Sequence, residues 1–329
     1  MTVLTTSYFF LFICAIIALI FYTQYLTRKF KQDIHELVPL LVIVPSGLQN
    51  PLQEHTPSEI ELSTELYKRL HELNIPFSTE VAVHNLGEEI HFYISAPRRH
   101  IHIVSKIIET LWPTSYVTKA DSYDLLLEIP TNQNTAIAAG YITQVHPYAV
   151  PIKKSTRKSN EMFLPILQEL SKLSTLGEGA AIQWIMQPAH AGIARQIAES
   201  VKKIENGTYN GDKHLHEEFL LTKETLAHIK SKVSSPLFAV NARIIAGAHS
   251  LDGAKTILSR LSGIINQETN KKTYNNLSVV TPKKQEGIIQ DFFGVHFQES
   301  QTMILSAEEI ATVFHFPGPY TPVPKLKRS

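Results

Sequence analysis

A run of 19 residues without a charged side chain, Tyr8 to Leu26 (YFFLFICAIIALIFYTQYL), constrains this chain more than any other feature. A helix of that length crosses the ~30 Å hydrocarbon core of a bilayer. Residues 1 to 7 contain no Lys or Arg, and no small-residue cleavage site follows the run. The pattern therefore favours a retained anchor over a cleaved signal peptide, and we predict a transmembrane helix within residues 1–30.

The charges that follow the apolar run predict its orientation. Arg28, Lys29 and Lys31 lie just beyond it. Basic residues beside a membrane span remain on the cytoplasmic side, so everything after residue 27 is expected in the cytoplasm. We predict a single-pass protein of the plasma membrane, with its N-terminus outside and a cytosolic part of about 300 residues.

Composition limits the functions of the cytosolic part. The 329 residues are 43% hydrophobic and 19% charged, enough for two or three small domains with their own cores. Lys and Arg number 31 against 30 Asp and Glu, so no global field draws the protein to nucleic acid. The single cysteine, Cys14, lies in the apolar run, which excludes an internal disulfide and a cysteine metal cluster.

Two successive patterns of strands and helices follow the predicted anchor. In the first, Ser58 caps an amphipathic helix, a hairpin follows, and the segment RRHIHIVSKIIETLWPTS at 98–115 is predicted to be a second helix. A strand at SYDLLLEIP, residues 122–130, completes that unit. The second pattern has strands at GAAIQWIMQPA, PLFAVNARIIAG and NLSVVTP, with helices between them. This mixed order predicts an α+β protein with two ferredoxin-like units of the split βαβ type.

These patterns divide the chain into five segments. The tail holds four prolines and three cations in its last 13 residues, which indicates an extended linker rather than a packed element. We predict the anchor at 1–30, the first α+β unit at 31–135, a connecting strand, basic turn and helix at 136–175, the second unit at 176–300, and a short helix with the tail at 301–329.

The stretch RIIAGAHSLDGAKTIL, which begins at Arg243, is close to a nucleotide-binding P-loop. A P-loop needs four residues between its glycines and a Lys directly after the second glycine. Here five residues separate Gly247 from Gly253, and Ala254 precedes Lys255. Both departures displace the Lys from the phosphate cradle.

An ordinary helix start explains the same residues. Ser250 or Asp252 caps the helix, and Ile257, Leu258 and Leu261 pack it against the core. A nucleotide-binding enzyme with a degenerate P-loop at 247–256, using Lys255 and Thr256, remains the alternative.

Other chemical signatures are weak. The 15 histidines include His100 and His102, and the segment HLHEE at 214–218, but none has the H-E-x-x-H spacing of a zinc site. We predict no catalytic residue, no metal and no cofactor. Basic groups at 98–99, 153–158, 271–272 and 283–284 are candidates for phosphate contact if the fold brings them together. A membrane-tethered DNA-binding module is a further alternative function, and its contacts would be Lys153, Lys154, Arg157 and Lys158 in the basic turn.

Four segments together resemble a known family. They are VHPYAVPIKKSTRKSNEMFLPILQELSKLSTLGEGAAIQWIMQPA at 145–189, IHFYISAPRRH upstream, and LFAVNARIIAGAHS and LSAEEIATVFHFPGPYTPVPKLKRS downstream. The sequence resembles the membrane-anchored N-terminal region of coupling-type ATPases in type IV secretion and conjugation. In that family the region precedes a hexameric DNA-translocating P-loop motor, and this chain stops at Ser329 before any motor domain.

The resemblance implies a membrane-proximal assembly domain without catalytic residues. We expect it to dock a hexameric P-loop ATPase in trans, beside other membrane components of the secretion system, with self-association and DNA contact as further expectations. The tail is the element we expect to bind the partner. Its residues in that role are Pro319, Pro322, Pro324, Lys325, Lys327 and Arg328.

Overall fold

One antiparallel sheet with flanking helices organises the chain. A computed structural model describes Ile16 and residues 37–44, 58–85, 89–120, 135–154, 162–173, 176–206, 223–267, 274–318 and 321–328. Within those ranges nine strands and eight α-helices occur, so the α+β class is confirmed. None of the helices in the described ranges has the length and apolar character needed to cross a bilayer. The predicted anchor at 8–26 lies outside them, apart from Ile16.

The first half of the sheet contains the predicted helix, hairpin and second helix, but its last strand is not the predicted one. Its strands lie side by side in the order β4-β1-β3-β2, with every neighbouring pair antiparallel. The predicted strand at 122–130 lies outside the described residues, and β4 follows the second helix directly. The elements are β1 (Leu37–Ile43), α1 (Glu59–Glu72), β2 (Phe77–Val83), β3 (Ile90–Pro97), α2 (Ile101–Leu111) and β4 (Tyr116–Lys119).

The second half has the same arrangement with one insertion. Its strand order is β6-β7-β5-β8, and two helices join its second and third strands where the first half has a hairpin. The strand that we predicted to be a connection, β5, lies inside the sheet between β7 and β8. The elements are β5 (Ala136–Gln144), α3 (Phe163–Leu170), β6 (Gly179–Pro188), α4 (Ala191–Glu205), α5 (Lys223–Val233), β7 (Leu237–Ala248), α6 (Leu251–Gln267) and β8 (Leu277–Val280).

The two halves meet through equivalent strands. β2 pairs antiparallel with β6 from Phe77, opposite Met186, to Val83, opposite Ala180. Each of these is the second strand of its half, so the strand order of one half is repeated in reverse by the other. The joint therefore turns two four-stranded sheets into one continuous sheet.

Local signals explain the helix starts. Ser58 accepts a hydrogen bond from the Glu61 amide at 3.3 Å, and the Glu61 carboxylate accepts one from the Ser58 amide at 2.7 Å. This reciprocal capping box satisfies two amides at the start of α1. Leu66, Tyr67 and Leu70 on the helix are buried, so the predicted cap and amphipathic helix are confirmed.

Helices cover both faces of the sheet. On one face α1, α2, α3 and α6 bury their apolar sides against β-strand residues such as Phe92, Ile182 and Ile244. On the other face α7 (Glu286–Phe293) packs Ile288 and Phe292 over the centre of the sheet, and α4 and α5 cover the start of β7.

The C-terminal segment packs across the molecule, so the predicted free tail is wrong for its described residues. β9 (Met303–Ser306) pairs with the start of β7, and α8 (Ala307–Val313) follows. The apolar residues Phe314, Phe316, Val323 and Leu326 then join the core of the first half. These side chains, placed between the prolines, bury enough surface to hold an extended segment down. We call residues 303–318 and 321–328 the strap.

Candidate functional site at the strap end of the sheet

The two ends of β3 mark the two ends of the sheet. Pro97 pairs with Leu37, where the chain enters the sheet, and Ile90 forms a bridge with Leu326 of the strap. At about 3.4 Å per residue these points on β3 lie about 24 Å apart. We call them the entry end and the strap end.

Aromatic contacts hold the strap against the helices of the first half. The Tyr67 hydroxyl donates to the Phe314 carbonyl at 3.1 Å. The Phe316 ring meets the Trp112 indole edge-on, with centroids 5.3 Å apart. Gly318 passes so close to the Glu59 side chain that a Cβ there would lie 1.8 Å from its Oε1. The strap therefore follows one path over these helices.

A buried histidine lies within the strap. The His315 ring packs against Phe163, with centroids 4.7 Å apart, and its Nδ1–H donates to the Ala311 carbonyl at 2.9 Å. Burial lowers the pKa of His315 to about 4, although the bond to Ala311 opposes that shift. The imidazole is consequently neutral at physiological pH.

Main-chain hydrogen bonds fix the end of the strap to the sheet. The Ile90 amide donates to the Lys325 carbonyl at 2.6 Å, and the Lys327 amide donates to the Ile90 carbonyl at 2.9 Å. Leu326 is buried between them. The strap thus ends beside β3 as a short addition to the sheet.

The tail residues predicted to bind a partner fall into two groups. The three cations contact acceptors of this chain: Lys325 reaches the Leu173 carbonyl, Lys327 the Glu89 carboxylate, and Arg328 the Thr321 carbonyl. Pro322 and Pro324 are exposed, and Pro319 lies outside the described residues. The prolines therefore remain the better candidates for contact with another protein.

Two large apolar side chains are exposed at the same end of the sheet. Leu176 is 64% exposed and precedes Gly177, whose amide donates to the Asn85 carbonyl after β2. Leu251 is 48% exposed at the start of α6. Because Lys325 bonds the Leu173 carbonyl just before this turn, the strap, this loop and the start of α6 share one end of the molecule.

The P-loop-like stretch also lies at the strap end, but as strand and helix. Gly247 is a paired residue of β7, opposite Gly179 on one side and Ile137 on the other. Only His249 and Ser250 separate β7 from α6, and the Ser250 hydroxyl accepts a hydrogen bond from the Gly253 amide at 3.1 Å. Ser250 is therefore the cap, and these residues form no loop of P-loop length.

The basic turn shows a paired cation. Lys154 contacts the Glu308 carboxylate and the Ser231 hydroxyl. It lines an open groove of about 350 Å³ that also contains Glu61 and Glu65. Lys153 is half-buried, and Arg157 and Lys158 lie outside the described residues. Because carboxylates line the groove around Lys154, it is a poor site for phosphate.

A buried ion pair fixes the strap to the second half. Lys232 of α5 and Glu309 of α8 are fully buried, with Nζ and the carboxylate 3.2 Å apart. Lys232 also donates to the Ile304 carbonyl at 2.7 Å, while Glu309 accepts from the Ser306 and Ile152 amides. Burial lowers the pKa of Lys232, and the Glu309 charge opposes that shift.

Sequence reasoning missed a row of polar side chains in the middle of the sheet. Glu80, Gln183 and Arg243 occupy facing positions on β2, β6 and β7. The Gln183 amide donates to Glu80 Oε2 at 3.0 Å and to the Phe292 carbonyl at 3.2 Å. Burial raises the pKa of Glu80 to about 8, so its carboxyl is mainly protonated at pH 7.

The arginine of this row ties the loop after α7 to the sheet. Arg243 donates to the His296 carbonyl at 2.6 Å, and the Asp291 carboxylate lies 4.0 Å away. Burial lowers the pKa of Arg243 to about 10, and Asp291 opposes that shift. The guanidinium remains charged at neutral pH.

Two histidines lie at the edge of the row on the first half. The His84 ring nitrogen Nε2 is 2.9 Å from the Tyr93 hydroxyl, and the His84 and His91 rings meet edge-on at 4.9 Å. Burial, followed by the neighbouring His84, lowers the pKa of His91 to about 4. Across the ranges that the structure covers, no group of three or more His, Cys, Asp or Glu could hold a metal ion.

Comparison with known proteins adds no relative. No family model matches the sequence, and a search of curated proteins finds no match.

Proposed function

We propose that this chain is a non-enzymatic, membrane-anchored adaptor of a type IV secretion-like or DNA-transfer system, which docks a P-loop ATPase supplied in trans. The secretion system and the ATPase partner named in this proposal are inferred from the resemblance of the sequence motifs. We further propose that the two halves of the sheet are two ferredoxin-like units of the split βαβ type, since each has that order of elements and strands.

The separation of the entry end from the strap end is the observation that carries this proposal. A chain arriving from the membrane enters the sheet at Leu37, and the strap ends about 24 Å away beside Ile90. We propose that the rigid sheet between these points acts as a spacer, which holds the motor at a fixed distance from the bilayer.

The composition of the strap end supports protein docking. Pro322 and Pro324 are exposed on a segment whose backbone is already held, and Leu176 and Leu251 are exposed at the same end. A preorganised segment loses little conformational entropy on binding, so prolines there favour association.

The two alternative functions have less support. For nucleotide binding, Lys255 is exposed on a regular helix, and the Thr256 hydroxyl donates to the Asp252 carbonyl at 2.8 Å. For DNA binding, Lys154 is paired with Glu308. Neither geometry presents a cluster of free phosphate donors in the described residues.

Affinity purification with the intact chain tests the adaptor proposal. The bait is extracted gently from membranes and its partners are identified by mass spectrometry. We expect a P-loop ATPase with the wild-type bait and much less of it with Pro322→Glu/Pro324→Glu. Arg195→Glu/Lys202→Glu, which changes two exposed residues on α4 over the start of β7, is the control and should retain the ATPase. Recovery of no ATPase by the wild-type bait would overturn the proposal.

A further inference from the structure

One side of α2 carries basic and apolar side chains at the entry end. Arg98 and Arg99 follow β3 directly, and both are exposed. Lys106 is exposed in the second turn of the helix, and Ile103 before it is 44% exposed. Residues three or four apart lie on the same side of a helix, so Arg99, Ile103 and Lys106 form one stripe.

The charge on this helix is polarised along its axis. α2 starts beside Pro97 at the entry end, and Trp112, which follows its last residue, contacts the strap at Phe316. Arg98 and Arg99 lie in the 3₁₀ turn before α2 and Lys106 lies in the middle of the helix, whereas the exposed Glu109 lies in its last turn. The neighbouring helix α1 brings one exposed acid, Glu72, to that end.

Chain length keeps this stripe near the predicted anchor. Ten residues separate Leu26, the end of the apolar run, from Leu37. They span at most about 35 Å when extended. Leu37 pairs with Pro97, and Arg98 is the next residue. A cationic stripe that surrounds an exposed apolar side chain is typical of a helix lying on a membrane surface.

We propose that the Arg98–Lys106 stripe of α2 binds anionic phospholipid headgroups of the membrane in which the chain is anchored. This inference depends on the proposed anchoring. Basic side chains near an anionic surface each strengthen binding about fivefold, and the attraction fades beyond a Debye length of about 10 Å. The contact would orient the sheet, with its entry end against the bilayer and its strap end away from it.

Fluorescence quenching in vesicles tests the contact. The full chain is synthesised in the presence of vesicles, with Cys14→Ser and Ile103→Cys carrying an environment-sensitive fluorophore. The vesicles are phosphatidylcholine alone or phosphatidylcholine mixed with phosphatidylglycerol, and both contain a lipid-borne quencher. We expect quenching at position 103 in the anionic vesicles only. The same fluorophore on Leu176→Cys, at the strap end, should not be quenched in either.

Charge reversal tests the chemistry. Arg98→Glu/Lys106→Glu should reduce quenching at position 103 in anionic vesicles to the level of neutral vesicles. The matched control is Lys202→Glu/Lys255→Glu, which makes the same change of charge away from the entry end and should leave quenching unchanged. Equal quenching of the wild type in neutral and anionic vesicles would overturn the proposal.

Flotation in a density gradient separates failure of the lipid contact from failure of the anchor. Flotation with neutral vesicles, but no quenching at position 103 in anionic ones, would support the anchor and overturn the lipid contact. Quenching with anionic vesicles, but no flotation with neutral ones, would support the lipid contact and overturn the anchor.

Discussion

Two regions of this protein bury charged residues in opposite ways. Where the strap meets α5, Lys232 of α5 and Glu309 of the strap are both fully buried, with their charged groups 3.2 Å apart. At the joint between the halves, Glu80 is buried beside the neutral Gln183, and burial raises its pKa to about 8. The strap therefore uses a charged pair, whereas the joint uses a carboxyl that is neutral at pH 7.

The two regions should respond differently to substitution and to pH. A buried ion pair is sensitive to loss of either partner, because the remaining charge has no compensation. A buried neutral carboxyl tolerates a neutral substitute but is sensitive to pH, because ionisation leaves a charge in the middle of the sheet. The two regions should therefore fail under different conditions.

Removal of Lys232, the buried partner of the strap's Glu309, should have the largest effect. Lys232→Met leaves Glu309 buried without its cation, and we expect a loss of about 3–5 kcal/mol in the free energy of unfolding. Urea denaturation measures it. Lys230 lies on the same helix as Lys232, and its exposed side chain pairs with Glu205 of α4. Lys230→Met should therefore lower the free energy of unfolding by less than about 1 kcal/mol. Similar losses for the two variants would contradict a special role for the buried pair.

The joint should weaken as the pH rises. The pKa of Glu80 is raised by folding, so its stabilising contribution is complete below pH 4.5 and is lost as the pH rises through about 8. Between pH 6 and pH 8, ionisation of Glu80 should lower the free energy of unfolding of the wild type by about 2 kcal/mol. Glu80→Gln should abolish that dependence, whereas the exposed Glu109→Gln should retain it. Parallel pH profiles for wild type and Glu80→Gln would argue against a buried neutral carboxyl.

The strap should respond to pH in the opposite direction. Folding lowers the pKa of His315 to about 4, so its stabilising contribution is present above pH 6.5 and is lost as the pH falls toward 4. From pH 6 to pH 5 we expect a loss of about 1 kcal/mol from this group. Glu80 and His91 also titrate across this range, so the loss is measured as a difference between two variants. In urea titrations at the two pH values, the wild type should lose about 1 kcal/mol more than His315→Gln. The exposed His102→Gln should behave as the wild type.

The smallest effect is expected at the end of the strap. Lys327→Ala removes a partly exposed ion pair with Glu89, for which we expect at most about 1 kcal/mol. The main-chain bonds between Ile90 and the strap do not require that side chain. Thermal unfolding should therefore be almost unchanged. A loss above 2 kcal/mol would mean that charge, rather than burial and main-chain pairing, holds the strap end.

Local patterns were sufficient to predict most elements of the sheet and its helices. The Ser58–Glu61 capping box, the hairpin alternation of β2 and β3, and the apolar periodicity of α2 each lie within one short window. β4 escaped prediction because it has only four residues and its pairing depends on β1, far away in the sequence.

The strap and the polar row required information that no short window contains. Prolines indicated an extended tail, but its burial depends on a groove made by helices that lie between residues 59 and 170. Glu80, Gln183 and Arg243 each stand inside an apolar strand, and only the register of three strands brings them together. An acidic, amide or basic residue at the centre of an apolar strand was the signal available in the sequence.

The late position of the strap has a consequence for synthesis of the chain. Phe314, Phe316 and Leu326 complete a core whose other walls include α1 and α2, which leave the ribosome about 200 residues earlier. At a synthesis rate of about 5–20 residues per second, the nascent first half lacks the strap for roughly 10–40 s. During that interval its helices expose the apolar groove that the strap later fills. The growing chain is thus exposed to aggregation until the strap emerges, and a chaperone has most reason to bind it in that interval.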